Sequence, residues 1–218
     1  LTNYAAWPYY KKILEEQRAR NVGICRFVDC PPPGVSAESL RAVESLPSTA
    51  SESKRLTADA LTKMREESTL NSDLRIVWAG KISGSSGWMA GILEEVSFSL
   101  KHNRPLLILG GFGGCAKLIA DYLAQVDAEW PARLSLDACK DHERDELQSA
   151  EDRQELISRF AEVRADMQNY RSQLNMGTSI HSLPADLLNS ALTERSPREA
   201  ITLAVQAAKL VRDSQQSL

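Results

Sequence analysis

Residues 74–123, LRIVWAGKISGSSGWMAGILEEVSFSLKHNRPLLILGGFGGCAKLIADYL, decide the fold of this 218-residue chain. The segment holds two short apolar runs, LRIVWA and PLLIL, and each is followed by a glycine-rich turn and then by a helical pattern. Consecutive strand–glycine turn–helix units are typical of an open parallel sheet, in which ligands bind at the carboxyl ends of the strands. The sequence therefore predicts an α/β protein with a Rossmann-like open parallel sheet, flanking helices and a phosphate-binding edge.

The rest of the chain surrounds this segment with alternating elements. Apolar spacing predicts helices, in chain order, over residues 4–20, 37–46, 56–68, 146–174, 184–192 and 196–211. A strand is predicted at residues 22–29 and a loop at residues 47–54. We expect one nucleotide-derivative-binding domain over residues 1–140, which lacks its upstream start, and a helical extension over residues 141–218. This extension would pack on the sheet or form an assembly contact.

Composition limits the classes of function that are open to the chain. A net charge of -3 gives no basic face for nucleic acid, and no run approaches the roughly 20 apolar residues that cross a bilayer. The four cysteines form no CxxC pair and no histidine lies at a zinc-ligand spacing, so no metal is predicted. No cofactor is predicted besides the nucleotide-derived ligand. We expect a cytoplasmic protein with reduced thiols. The scattered histidines give no support to a nucleophilic triad.

The two glycine turns carry the predicted ligand chemistry. Glycine lets the backbone approach a ligand closely, hydroxyl and ammonium groups bind phosphate oxygens, and free N–H groups at a helix start attract anions. The candidate ligand-binding residues are Gly80, Lys81, Ser83, Gly84, Gly87, Glu94, Glu95, Gly110, Gly111, Phe112, Gly113, Gly114 and Lys117. Tight turns without a ligand are the alternative interpretation, which two such turns on neighbouring strands make less favoured.

Three side-chain groups have alternatives that the sequence leaves open. Glu94 and Glu95 point about 100° apart on a helix, so only one of them, with Glu95 preferred, can face the crevice and accept from ribose hydroxyls. Both could equally form a solvated helix face. Lys117 could bind phosphate or be an ordinary exposed lysine. The aromatic cluster around Trp7 could stack on a base or belong to the core.

These motifs resemble the SLOG superfamily of Rossmann-like domains, which includes the Smf/DprA and LOG-type proteins. The resemblance covers residues 56–125 and is closest to prokaryotic modules linked to TIR or Sir2-type NADase effectors in antiphage defence, as in Thoeris systems. The matching residues are Gly80, Lys81, Gly84, Gly87, Gly91, Glu94, Glu95, Gly110 to Gly114 and Ala116. Ala79 and Ala90 depart from the family pattern, which favours glycine and proline there.

The resemblance implies a sensor of a nucleotide-derived signal, such as ADP-ribose, a cyclic ADP-ribose isomer or another NAD metabolite. Such a domain switches an effector on the same or a partner chain, and a homo-oligomer is expected. The rival is a LOG-type nucleotide N-glycosidase, whose PGGxGTxxE motif would place its catalytic glutamate at Lys117. A lysine there favours binding over hydrolysis, although Glu95 could supply a carboxylate. A structural oligomerisation module is the third alternative and leaves the glycine turns unexplained.

Overall fold

A computed structural model describes residues 1–47, 50–139 and 150–216 as an α/β protein. Its strands are β1 (Thr2–Ala6), β2 (Arg26–Cys30), β3 (Arg75–Trp78) and β4 (Leu106–Leu109). Its helices are α1 (Glu15–Arg20), α2 (Ala37–Glu44), α3 (Ser51–Leu70), α4 (Gly91–Lys101), α5 (Gly114–Ala124), α6 (Leu136–Cys139), α7 (Ala150–Asn175), α8 (Ala185–Thr193) and α9 (Pro197–Gln216). Short 3-10 turns occur at Tyr9–Lys12, Gly110–Phe112 and Ala132–Leu134. The predicted α/β class and the helical C-terminal part are confirmed.

The chain divides into two compact units, and the smaller one is N-terminal. It comprises residues 1–68 together with Ser86–Trp88. Its sheet is the parallel pair β1–β2, in register from Thr2 opposite Arg26 to Ala6 opposite Cys30. A small apolar core is formed by Ala6, Trp7, Leu40, Val43, Leu56 and Ala60. The indole Nε1 of Trp7 donates to Glu44 Oε1 at 3.3 Å, which satisfies the one polar atom of a buried ring.

Two local predictions in this unit are wrong. Residues 4–20 do not form one helix, since β1 and a 3-10 turn precede the six-residue α1. The TNYAA segment carries little strand signal of its own, and its pairing with β2 supplies the hydrogen bonds that hold it extended. Residues 51–54, predicted as loop, are the first turn of α3, where Glu52 complements the helix dipole. The predicted loop residues 48 and 49 lie outside the described residues.

The larger unit comprises Thr69–Ser85 and the chain from Met89 onward. Its sheet is the parallel pair β3–β4, in register from Arg75 opposite Leu106 to Trp78 opposite Leu109. All four residues of β4 are buried, as expected for an uninterrupted apolar strand that is covered on both faces. The described residues thus contain two two-stranded parallel sheets, where a single open sheet was expected.

The C-terminal helices complete the core of the larger unit. Helix α7 packs on α4 and α5 with residues at three- and four-residue spacing: Phe160, Val163, Met167, Tyr170 and Leu174. Ser196 caps α9, with its Oγ accepting from the amide of Glu199 at 3.4 Å, and Pro197 is the first helical residue, where its missing N–H costs no hydrogen bond. Within the described residues, no helix is both long and apolar enough to cross a membrane.

Arg171 on α7 binds the end of α5 and the segment that follows it. Its Nη1 donates to three backbone carbonyl groups, at 3.5, 3.4 and 2.8 Å, which belong to Tyr122, Gln125 and Ala128. Its guanidinium also lies 4.2 Å from the centroid of the Tyr122 ring. A planar guanidinium can serve several acceptors and stack on a ring at once, which an ammonium cannot do. This one side chain therefore fixes the end of α5 against α7.

Candidate functional site

The two glycine turns begin side by side and are joined through their backbones. The register of β3 and β4 places Trp78 opposite Leu109, so both turns start at the same edge. The amide of Cys115 donates to the carbonyl of Gly80 and the amide of Ala116 to that of Ala79, each at 2.9 Å. These amides belong to the first turn of α5, where no intrahelical acceptor exists. The first glycine turn thus supplies two carbonyl acceptors for the start of α5, the helix that follows the second glycine turn.

The same hydrogen bonds limit what the helix start can offer a ligand. Of the first N–H groups of α5, those of Cys115 and Ala116 are already used, whereas the amide of Gly114 has no protein acceptor among the described residues. Gly114 has a φ of +64°, and a Cβ built there would lie 2.3 Å from the carbonyl oxygen of Gly80. Gly114 is therefore required both by its left-handed backbone and by the close approach of the two turns.

Three further glycines are required by packing. A Cβ at Gly80 would lie 2.3 Å from Cγ1 of Ile92. At Gly110 it would lie 2.3 Å from the carbonyl oxygen of Leu192, and at Gly111 it would lie 1.9 Å from that of Glu194. The second glycine turn is thus the surface on which the end of α8 rests. The alternative interpretation of these glycines as packing residues accounts for their identity, although it does not exclude a ligand on their other side.

The exposed part of the first turn offers donors. Lys81, Ser83 and Gly84 are exposed, and no acidic side chain in the described part of the chain pairs with Lys81. Gly84 has a φ of +66° and open space around the position of a Cβ. Gly87 belongs to the smaller unit and is buried. The exposed positive charge of this turn is therefore that of a single lysine, Lys81.

Several predicted site residues are engaged elsewhere. Glu94 is only 2% exposed, and Oε2 of Glu95 lies 3.5 Å from Nη1 of Arg75. Arg75 begins β3, about 10 Å along the strand from Trp78 at its glycine end. Nζ of Lys117 contacts both carboxylate oxygens of Asp121, one helical turn on, at 2.7 and 2.8 Å. Neither predicted carboxylate is thus presented to solvent beside the turns.

Phe112 and Gly113 complete the second turn. Phe112 is partly buried and packs against the core of the larger unit. Gly113 has a φ of +82° with open space around it, and it precedes the first residue of α5. These two residues therefore shape the turn, and Gly113 leaves room above it.

The aromatic residue at this edge is Trp78, which the sequence analysis did not single out. Trp7, considered for base stacking, is 1% exposed and belongs to the small core. Trp78, the last residue of β3, is 58% exposed immediately before the first glycine turn. A large aromatic residue at the end of an otherwise apolar strand run is the signal that could have identified it.

A buried thiol elsewhere is unsuited to catalysis. Cys30 ends β2 and is fully buried, and its Sγ lies 3.5 Å from Oε2 of Glu67. Burial, followed by this carboxylate, raises the pKa of the Cys30 thiol to about 12. A thiol with such a pKa holds its proton at neutral pH and is not a nucleophile. Cys25, Cys30 and Cys115 are thiols rather than disulfide-bonded cysteines. The described residues contain no metal-binding group of three acidic, histidine or cysteine side chains.

Comparison with known proteins supplies the family. No curated protein and no solved structure matches the chain. The family described as SLOG cluster2 matches residues 1–179, a span that includes both glycine turns and extends through α7. Since this match covers most of the 218 residues, the chain belongs to the SLOG cluster2 family.

Proposed function

We propose that the edge formed by the two joined glycine turns binds a phosphorylated, nucleotide-derived ligand, such as ADP-ribose, a cyclic ADP-ribose isomer or a related NAD metabolite. The observation that carries this proposal is the backbone joint between the turns. It holds Lys81 and the amide of Gly114 at one edge of a parallel sheet, where α/β proteins bind phosphates. Membership of the SLOG family agrees with a nucleotide-related role.

Binding would serve signalling. We propose that the ligand changes the packing or self-association of the protein through its C-terminal helices, and so switches an effector on the same or a partner chain. A TIR or Sir2-type effector in antiphage defence, acting in the cytoplasm, is the setting that the resemblance implies. A ligand can produce such a switch only if it binds one of two arrangements more tightly than the other.

Nucleotide hydrolysis is the alternative, and the positions of its required carboxylates argue against it. The lysine at the place of the catalytic glutamate, Lys117, is paired with Asp121 on its own helix. Glu95, the substitute carboxylate, is paired with Arg75 at the far end of β3. A general acid or stabilising carboxylate must lie within hydrogen-bond reach of the bond that breaks. Lys117, although it follows the second glycine turn directly, is no carboxylate, and Glu95 is engaged by Arg75.

Calorimetry tests the binding proposal with a matched pair of lysine variants. Lys81→Ala removes the exposed ammonium group at the turns, and Lys101→Ala removes the same charge at the C-terminal end of α4, about 15 Å along the helix from its start. We expect ADP-ribose, NAD or AMP to bind the wild type and the Lys101 variant alike. Binding to the Lys81 variant should be about tenfold to a hundredfold weaker, because a charge-assisted hydrogen bond is lost.

Two results would contradict the sensor. Failure of all these nucleotides to bind the folded wild type rejects it, as does equal affinity in the two lysine variants. Chromatography of the same mixtures detects free base, and base release that disappears in Glu95→Gln would support the N-glycosidase instead. A stable oligomer with neither binding nor base release would support the structural module.

A further inference from the structure

Trp78 differs from the other tryptophans in that its ring is uncovered. Trp7 is buried, Trp88 donates its Nε1 to Asp59 Oδ1 at 2.7 Å, and Trp130 packs edge-on against Tyr122 with ring centroids 5.1 Å apart. Trp78 is 58% exposed and makes no aromatic or cation–π contact with any described residue. The largest side-chain type is thus left open to water at the edge that carries both glycine turns.

The exposure is a property of this end of the strand. Ile76 points to the same face of β3 as Trp78, because side chains two residues apart in a strand share a face. Ile76 packs against the core of the larger unit, and Trp78, two residues later, is not part of that packing. Core cover therefore ends between these residues. Tryptophan is mostly buried on average in proteins, and an uncovered one beside polar turns is a feature of binding surfaces.

The position of the ring suits one kind of ligand. Trp78 directly precedes Ala79 and Gly80, and its strand neighbour Leu109 directly precedes Gly110. The Cα atom of Gly80 lies at most about 7 Å along the chain from that of Trp78. Base and phosphate of a nucleotide are separated by a similar length, that of one ribose. A phosphate on the turns would thus leave its base within reach of the indole.

We propose that Trp78 is the platform on which the nucleobase of the ligand stacks, so that this edge selects base-bearing phosphates over sugar phosphates. The inference rests on the proposed function, in which the turns hold the phosphate. Stacking accepts any base, because each has a π face, and so Trp78 supplies affinity for a nucleotide while leaving the choice among bases to other contacts.

Three probes separate the contributions of base and phosphate. AMP carries both, ribose 5-phosphate carries only the phosphate, and adenosine carries only the base. Calorimetry is done with the wild type, Trp78→Ala, Trp78→Phe and the control Val126→Ala, which trims another exposed apolar side chain (66% exposed) of the same unit.

We expect Trp78→Ala to weaken AMP binding about tenfold or more and to change ribose 5-phosphate binding less than about twofold. Trp78→Phe, which keeps an aromatic face, should retain most of the AMP affinity, and Val126→Ala should bind as the wild type does. AMP should also quench the tryptophan fluorescence of the wild type more than that of Trp78→Phe. This last measurement needs no alanine variant and covers the case in which Trp78→Ala fails to fold.

Each outcome decides the inference. AMP affinity that Trp78→Ala leaves unchanged, while Lys81→Ala weakens it, overturns the platform and leaves the phosphate site intact. Equal losses for AMP and ribose 5-phosphate in Trp78→Ala also overturn it, because they show a structural role. Adenosine binding that depends on Trp78, without any phosphate binding, supports the platform and rejects the phosphate site. If none of the three probes binds the wild type, both proposals fall.

Discussion

Replacing Gly114 by alanine tests the joint between the two glycine turns. Two costs are expected at this position. A left-handed backbone disfavours an L-residue by about 1–2 kcal/mol. The new Cβ would also lie 2.3 Å from the carbonyl oxygen of Gly80, where ordinary contact needs at least about 1 Å more, so the turns must separate.

The magnitude follows from what that separation breaks. Overpacking of this kind costs about 1–3 kcal/mol, which includes the weakening of the hydrogen bonds donated by Cys115 and Ala116. Together with the backbone cost, Gly114→Ala should lower the free energy of unfolding by about 2–5 kcal/mol. For a chain of this size, the melting temperature should fall by about 4–20 °C.

Gly177→Ala is the matched control, measured in the same thermal and urea unfolding experiments. Gly177 lies in the same unit with a φ of +68°, nearly that of Gly114, and a Cβ built there meets no atom within 4 Å. This variant should carry only the backbone cost of about 1–2 kcal/mol, and its melting temperature should fall by about 2–8 °C, less than that of Gly114→Ala. Equal losses in the two variants would refute the reasoning, because the close approach of the turns would then contribute nothing.

Three other substitutions give distinct expectations. Ala79→Gly should raise the melting temperature by up to about 4 °C, because Ala79 has a φ of +51°, which strains alanine and does not strain glycine; a decrease would contradict this. Burial lowers the pKa of His181 in the folded protein. As the pH falls, the imidazole is therefore protonated in the unfolded chain before it is protonated in the folded one, and stability is lost below about pH 6.5. His181→Asn, which tolerates the left-handed φ of +48°, should lose less stability between pH 7.5 and 5.5, and an identical loss would reject the assignment. Arg171→Lys should lower the free energy of unfolding in urea by about 1–3 kcal/mol, since an ammonium cannot both serve three carbonyl groups and stack on Tyr122; an unchanged value would show that these Arg171 contacts are dispensable.

The parts of the fold that follow from local pattern could be predicted. The runs LRIVW and PLLIL are β3 and β4, because apolar β-formers bounded by turn residues have few other uses. The strand at residues 2–6 could not be predicted, since its conformation is supplied by pairing with β2 rather than by its own side chains. The start of helix α4 at Gly91 could not be predicted either, because its N-cap residue, Ala90, has no side chain that could cap the helix.

The candidate site could be predicted only in its backbone outline. Glycines mark where the chain turns, but a sequence does not distinguish a glycine that faces a ligand from one that faces another carbonyl group, as Gly111 does. Ion pairs between residues on different elements could not be predicted from the sequence either. The partner of Glu95 lies twenty residues earlier on a strand, and only the packing of α4 beside β3 brings the two together.

The tight seating of Gly110 and Gly111 against the carbonyl groups of Leu192 and Glu194 has a mechanical consequence. Protein interiors are close-packed and hardly compressible, so a contact without free volume passes a displacement on instead of absorbing it. Residues 192 and 194 end α8 and lead into α9. A shift of a few tenths of an ångström in the second glycine turn would therefore displace the backbone that leads into the C-terminal helix, with no side chain needed as intermediary.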